Sequence, residues 1–348
     1  MVNLNNINNF ASKLAYQEEK GQNPYNVLIV LVVIVALILI GVFFFFTRES
    51  DTFFDIEGTL YLTLAVPNSE GIIADLYTLD VKERSLDKIK DDGFFRMTSA
   101  LSPSGSAMAY IASPRVEGIS DELKYEENLQ LYIMDLETNS KRQITSDDSI
   151  LKRLPEWSPD GTLITFVARD DYIADDFTPE GWDVYVADLE GNINRITKGL
   201  YPKWSPDGSH LLILRSDGLH LVTLSSGDDK VVWQNTGGDS TTSVHIDVSN
   251  DSTKLVLTNP STQELFLVDI TSWDPYVATI TNTINEITSS WPTFSPGGKY
   301  VAVIEAGRIN DVAIGPHVVV YDIETLKSKK LYKLNAFDTM FMLLSDWQ

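Results

Sequence analysis

The residues of this chain best suited to chemistry are its carboxylates. The run Asp170-Asp171-Tyr172-Ile173-Ala174-Asp175-Asp176, with Glu180 and Asp183 close behind, gathers the hard oxygens that calcium prefers. Its spacing is not the Asp-x-Asp-x-Asp-Gly order of a calcium loop. A solvated acidic loop is therefore expected and no metal site or cofactor is assigned, calcium being the one ion the loop could gather. A second acidic group, Glu117, Asp121, Glu122, Glu126 and Glu127, has the spacing of a short exposed helix. His210, His220, His245 and His317 are scattered one per strand-like segment, with no His-x-His or His-x-x-x-His pair to aim two imidazoles at one zinc. There is no Gly-x-Ser-x-Gly elbow, and the absence of cysteine excludes a thiol nucleophile, disulfides and thiolate zinc sites. Carboxylate pairing of the kind glycosidases use is a three-dimensional fact that sequence leaves open. No catalytic residue is assigned, and the chain is not expected to be an enzyme.

These side chains need a scaffold, and the composition supplies one. At 348 residues, 43% hydrophobic and 22% charged, the chain is long enough and apolar enough to fold. Its 49 acidic and 27 basic residues give a net charge of -22, which would repel a phosphate backbone, so nucleic acid is not expected as a partner. Residues 27–46, VLIVLVVIVALILIGVFFFF, are uninterrupted by any charge; as a helix they would span ~30 Å, the thickness of a hydrocarbon core. The run is longer than a signal-peptide core and is followed by Thr47-Arg48-Glu49 rather than a small-residue cleavage site. It is expected to be a transmembrane helix. Lys13 and Lys20 before it, against Arg48 after it, favour the tail of residues 1–26 on the cytoplasmic side. Residues 1–50 carry equal numbers of acids and bases, so the whole negative charge falls beyond the span, on the extracytoplasmic side.

Beyond a tether at 47–57, one phrase recurs. Leu101-Ser102-Pro103-Ser104-Gly105, Trp157-Ser158-Pro159-Asp160-Gly161, Trp204-Ser205-Pro206-Asp207-Gly208 and Phe294-Ser295-Pro296-Gly297-Gly298 are clear copies. Val248-Ser249-Asn250-Asp251-Ser252 is a degraded copy, and Leu344-Ser345-Asp346-Trp347 a trace of another. The serines are spaced by 56, 47, 44, 46 and 50 residues, the period of a propeller blade. Pro presets φ, Asp accepts local hydrogen bonds and Gly takes a positive φ, so each phrase predicts a hairpin turn. The fold expected for residues 58–348 is all-β: a six-bladed β-propeller of four-stranded antiparallel blades. Five blades start near 98, 154, 201, 244 and 291; the sixth closes from 58–90 and 338–348, one strand from the C-terminus joining three from the N-terminal side.

The Trp-Ser-Pro-Asp-Gly turn, the Leu/Ile-rich strand after it and the Leu-Tyr-x-x-Asp strand beyond resemble the WD40-like repeats of TolB-type propellers, over roughly 58–348. Related repeats occur in prolyl-oligopeptidase-like and tricorn-type peptidases, whose hydrolase domain is not expected here. The resemblance implies a protein-binding role in the cell envelope. An uncleaved anchor and the lack of an extra N-terminal α/β domain depart from the TolB pattern and leave the particular partner open.

In such a propeller the Ser-Pro-Asp-Gly turns share one face, where the tether is expected to arrive. The long insertions 113–127, 169–181 and 305–316 share the other. Binding residues concentrate on long loops over rigid scaffolds, so Asp170, Asp171, Tyr172, Asp175, Asp176, Glu117 and Asp121 are the candidate partner contacts, with Trp182 as their aromatic anchor. Trp157, Trp204 and Phe294, in register before the turns, are expected to pack between blades. The function expected is a non-catalytic, membrane-anchored scaffold or accessory subunit binding a protein partner. The alternative is a lyase- or glycosidase-like enzyme, or a small-ligand sensor, with its site in the central channel; converging carboxylates and histidines with shifted pKa values would favour it.

Overall fold

The computed structural model describes residues 56–68, 71–89, 94–114, 129–146, 151–169, 178–234, 244–259, 262–285, 289–305, 308–309, 312–313, 316–333 and 341–348. The chain divides into two compact units, 1–55 and 56–348. The tail and the apolar run 27–46 lie outside the described residues. Among the described residues no helix is long and apolar enough to cross a membrane.

The second unit is all-β and consists of six four-stranded antiparallel sheets and one small hairpin. Blade 1 combines β1 (Thr59–Asn68), β2 (Gly71–Asp80) and β3 (Leu86–Lys88) with the C-terminal β26 (Phe341–Trp347), in the order β26-β1-β2-β3. Blade 2 is β4 (Phe94–Leu101), β5 (Ala107–Pro114), β6 (Gln130–Asp135) and β7 (Lys141–Gln143). Blade 3 is β8 (Leu151–Trp157), β9 (Leu163–Arg169), β10 (Asp183–Asp188) and β11 (Ile193–Lys198). Blade 4 is β12 (Leu200–Trp204), β13 (His210–Arg215), β14 (Gly218–Thr223) and β15 (Asp229–Gln234). Blade 5 is β16 (His245–Val248), β17 (Lys254–Asn259), β18 (Glu264–Trp273) and β19 (Tyr276–Asn285). Blade 6 is β20 (Ser289–Phe294), β21 (Tyr300–Glu305), β24 (His317–Asp322) and β25 (Ser328–Lys333). Its long connection holds the hairpin β22 (Arg308–Ile309) and β23 (Val312–Ala313).

Middle strands are covered on both sides by neighbouring blades, so their sequences are continuous rather than alternating. Leu211 to Leu214 of β13, Val301 to Val303 of β21 and Val318 to Val320 of β24 are all buried. Outer strands alternate or lie open, as in β15 and β19.

The repeat phrases of blades 3, 4 and 5 close their hairpins in the same way. Ser158 Oγ donates to Asp160 Oδ1 (2.6 Å) and accepts from the Leu163 amide (2.9 Å), while Gly161 takes φ 69°. Ser205, Asp207 and Gly208 repeat this, with φ 69° at the glycine. The degraded copy forms the same turn: Ser249 Oγ donates to Asp251 Oδ1 (2.7 Å), and Ser252 accepts the left-handed φ of 56°. In blade 6, Gly297 stands where blades 3, 4 and 5 carry Asp and blade 2 carries Ser104, and the turn rests on Ser295 Oγ and Gly298 alone.

The one-plus-three closure expected from the sequence is present, but its phase differs. The Thr59 amide donates to Gln348 O and the Gln348 amide to Thr59 O, the latter matching the bond from the Ser158 amide to Leu163 O in blade 3. Gln348 therefore occupies the serine position and Trp347 the tryptophan position, three residues later than Ser345 would suggest. A one-residue bulge at Ser345 lies opposite Tyr61–Leu62.

Candidate functional site

Every blade sends its first strand, or β26 in blade 1, to the axis, and most of these strands are bulged. The pairing slips between Arg96 and Ser99, Arg153 and Glu156, Leu200 and Lys203, and Ser290 and Thr293. In three of them a bulky residue before proline is forced left-handed: Leu154 (φ 53°), Tyr201 (φ 51°) and Trp291 (φ 53°). Non-glycine residues avoid this region at a cost of ~1–3 kcal/mol each, and bulges re-aim the residues that follow. Here the bulge turns the residue before each packing aromatic towards the axis.

One residue per blade holds the same register position before the turn: Asp346, Ala100, Glu156, Lys203, Asp247 and Thr293 in blade order, and all but Thr293 line the axial cavities. Lys203 Nζ bonds Glu156 Oε2 at 3.0 Å and Asp247 Oδ1 at 2.9 Å. Two carboxylates also tie one blade to the next: Asp247 Oδ2 accepts the Phe294 amide at 2.9 Å, and Asp346 Oδ2 the Leu101 amide at 2.7 Å. The packing tryptophans add a second tie, Trp157 Nε1 to Ala100 O (3.1 Å) and Trp204 Nε1 to Glu156 O (3.4 Å). With Trp157, Trp204 and Phe294 all buried, their expected role between blades is observed.

Three carboxyls around one ammonium make the axis electronegative. Burial, then the charge of Glu156, holds Asp346 well above the ordinary carboxylate range despite the Leu101 hydrogen bond. Burial also raises Glu156, partly opposed by Lys203. Burial would lower Lys203, but Asp247 and Glu156 outweigh it and keep the ammonium charged. Lys203 thus fills the position a bound cation would take. Among the described residues no group of three His, Cys, Asp or Glu is placed to hold a metal ion.

The two mouths differ. The turn face opens into a cavity of ≈ 400 Å³ bounded by Asp346, Trp347, Glu156, Lys203 and the turn prolines. The opposite end narrows to ≈ 60 Å³ among Tyr201, His245 and Trp291, whose rings lie 4.6–6.1 Å apart. Among the described residues, the roomier approach to the ring is from the turn face.

The residues proposed from sequence fall elsewhere. Asp170, Asp171, Tyr172, Asp175, Asp176, Glu117 and Asp121 lie outside the described residues. Trp182, expected as an exposed anchor, is 2% exposed beneath the Arg169 guanidinium, whose Cζ is 5.4 Å from its ring. It is a core residue because β10 starts beside it and the short 3-10 turn Pro179–Gly181 folds the chain inwards. Of the turn residues, Ser102, Ser158, Ser205 and Ser295 are buried hairpin caps, while Pro103, Pro159, Pro206 and Pro296 rim the cavity. Gly105, Gly161, Gly208 and Gly298 supply the left-handed backbone. The histidines lie on separate strands as expected, but His220 bridges Asp217 (2.8 Å) and Asp229 (2.6 Å), and His245 joins the aromatic end of the channel. The axial ring itself was missed. For Glu156, Lys203, Thr293 and Asp346 the signal was the place directly before an aromatic, with X-Pro two residues earlier in Leu154-Pro155, Tyr201-Pro202 and Trp291-Pro292; Ala100 and Asp247 precede Leu101 and Val248 and carry no such mark.

The fold and this polar axis define a six-bladed β-propeller with one inward-facing residue per blade. No protein-family model matches the sequence, and no curated protein does. Solved structures are similar in fold. TolB from Acinetobacter baumannii matches with a TM-score of 0.59 at 18% identity, over 83% of this chain and 66% of that one. This chain thus spans just under two thirds of that protein. An oligogalacturonate lyase in complex with manganese matches with a TM-score of 0.51 at 15% identity, over 75% and 71% of the two chains. A chain of a nidogen/laminin complex matches with a TM-score of 0.52 at 11% identity, over 83% and 97%.

Proposed function

We propose that this chain is a membrane-anchored, non-catalytic binding module that docks a protein partner in the cell envelope or at the cell surface, and that the partner inserts a cationic element into the turn-face mouth of the channel. The observation that carries this reading is the axial imbalance of three carboxyls to one ammonium. Asp346 and Glu156 hold protons above their ordinary range, so a guest cation would be met by groups able to ionise in response. Contacts to neighbouring blades or to Lys203 already engage the ring carboxyls, which suits recognition better than turnover. Support for the anchor is the charge-free run 27–46, and for a cytoplasmic tail the pair Lys13 and Lys20.

The test uses the full chain in mild detergent and a short, fluorescent Gly/Ser peptide carrying two lysines, with its glutamate counterpart as control. Binding of the lysine peptide alone, weakened at least tenfold by Asp247→Asn with Asp346→Asn, supports the reading. Equal binding of both peptides, or none, refutes it.

One observation favours a second reading. A carboxyl held high beside a fixed ammonium is also a proton donor, and the fold is shared with an oligogalacturonate lyase. Turnover of oligogalacturonate by the full chain, lost in Asp346→Asn, would replace the binding reading with an enzymatic one.

A further inference from the structure

We propose that β19 is a self-association edge, at which two copies of this chain pair antiparallel about a two-fold axis and join their fifth blades into one continuous sheet. β19 is the terminal strand of its blade, with β18 as its one neighbour in the sheet. At ten residues it is the longest outer strand, and its sequence, Tyr-Val-Ala-Thr-Ile-Thr-Asn-Thr-Ile-Asn, carries no charge. Every other outer strand does: Asp87 and Lys88 in β3, Lys141 and Arg142 in β7, Arg195 and Lys198 in β11, Asp229 and Lys230 in β15, and Lys329, Lys330 and Lys333 in β25. Charges on an edge, lysine above all, keep other chains from adding to it. Five edges are guarded in this way and one is not.

The unguarded edge is also built to pair. Val277 and Ile280 are 48% and 49% exposed, the highest values among the exposed large hydrophobics. The hairpin tip is fixed, because Trp273 Nε1 bonds Ser252 O at 2.9 Å and its ring packs 5.8 Å from that of Tyr276. β19 therefore presents an ordered backbone with little entropy left to lose.

Charge selects the occupant. In two-fold pairing each residue meets one from its own strand, so β25 would set lysine near lysine, which destabilises. β19 sets no charge against any. β18 carries an extra residue, Thr271, opposite the Val277–Ala278 step, but β19 itself has no inserted residue before Thr281, so Tyr276 to Ile280 is the segment that pairs, with Ala278, its smallest side chain, on the axis. Val277 then faces Thr279, and Tyr276 faces Ile280. Each copy carries a net charge of -22, so the pairing works against long-range repulsion that salt screens within ~8 Å at physiological strength. A single ladder also buries less than the ~1,200 Å² typical of a stable complex. The dimer is accordingly concentration-dependent and strengthens as salt is raised, whereas a partner held by opposite charge would weaken.

The cysteine-free chain gives a clean test. Full-length Ala278→Cys in mild detergent is oxidised beside Val231→Cys on β15 and Tyr332→Cys on β25; facing strand residues lie ~4.5–5.5 Å apart, within disulfide reach. We expect a crosslinked dimer for Ala278→Cys alone. Light scattering should show a dimer fraction that rises with protein concentration and with salt, and falls at least tenfold in association constant in Ile280→Lys and in Val277→Lys, with melting temperatures unchanged. Crosslinking no stronger than in the controls, crosslinking only to a different protein, or a dimer insensitive to both lysine substitutions would overturn the proposal.

Discussion

Among the described residues Lys203 is the one base of the axial ring, and Lys203→Met keeps the stem while deleting the ammonium. Both of its ion pairs, at 3.0 and 2.9 Å, are lost, and Glu156 and Asp247 are left side by side. Removing one partner of a buried pair costs ~3–5 kcal/mol, because the other charge stays desolvated. The side chains of Lys203, Glu156 and Asp247 keep 15%, 30% and 14% exposure, so water in the channel recovers some of that loss. We expect about 2–4 kcal/mol, or a melting temperature lower by about 4–10 °C for a domain of this size. The loss should depend on pH. Glu156 is already raised by burial, and Lys203 is the main influence pulling it down. Without the lysine the folded-state value rises further above the unfolded one, so the folded state binds more protons and its penalty grows as pH increases through the folded value. The deficit should be largest near pH 8 and shrink towards pH 5, and adding Glu156→Gln should recover part of it. Thermal unfolding followed by tryptophan fluorescence, with Trp204 next to the site, measures both effects. A shift below about 2 °C, or an equal deficit at both pH values, would show that the axial charges are not coupled as described.

Three further outcomes follow from the same geometry. Asp346→Asn keeps an acceptor for the Leu101 amide while removing a buried ionisable group, so it should stabilise the protein at neutral pH and flatten the pH dependence above about pH 4; denaturant unfolding at several pH values that showed a steeper dependence would contradict the raised Asp346 pKa. Gly297→Asp should supply the cap that Asp160 and Asp207 provide, since a side chain there meets nothing within 4 Å, and should add about 0.5–1 kcal/mol; an unchanged or lower melting temperature would show that the cap contributes nothing. In intact cells a membrane-impermeant maleimide should label Glu190→Cys and spare Asn5→Cys; the reverse pattern would invert the proposed topology.

Much of the fold was legible in the sequence because a propeller repeats. Four copies of one turn phrase, each holding a proline, a serine cap and a glycine with positive φ, fixed the blade count and the hairpins, since turn chemistry is local. The apolar middle strands and the aromatics Trp157, Trp204 and Phe294 before three of the turns were legible for the same reason: every blade meets the same neighbours. The one-plus-three closure also followed from counting strands. Its phase did not, because Gln348 stands where the other repeats have serine, which only the pairing with β1 reveals.

The candidate site lay beyond sequence because it is made of residues about fifty apart that look unrelated. Glu156, Lys203, Asp247 and Asp346 differ in type, and nothing local distinguishes them from surface charges. Closing six blades into a ring brings them to one axis and takes them largely out of the water that would have screened them. Trp182 shows the converse: beside an acidic loop it looks like an exposed anchor, yet the 3-10 turn at Pro179–Gly181 buries it. Local chemistry sets turns and strands, since their partners are a few residues away. Burial and charge coupling depend on ring closure, and so they were decided by the tertiary structure.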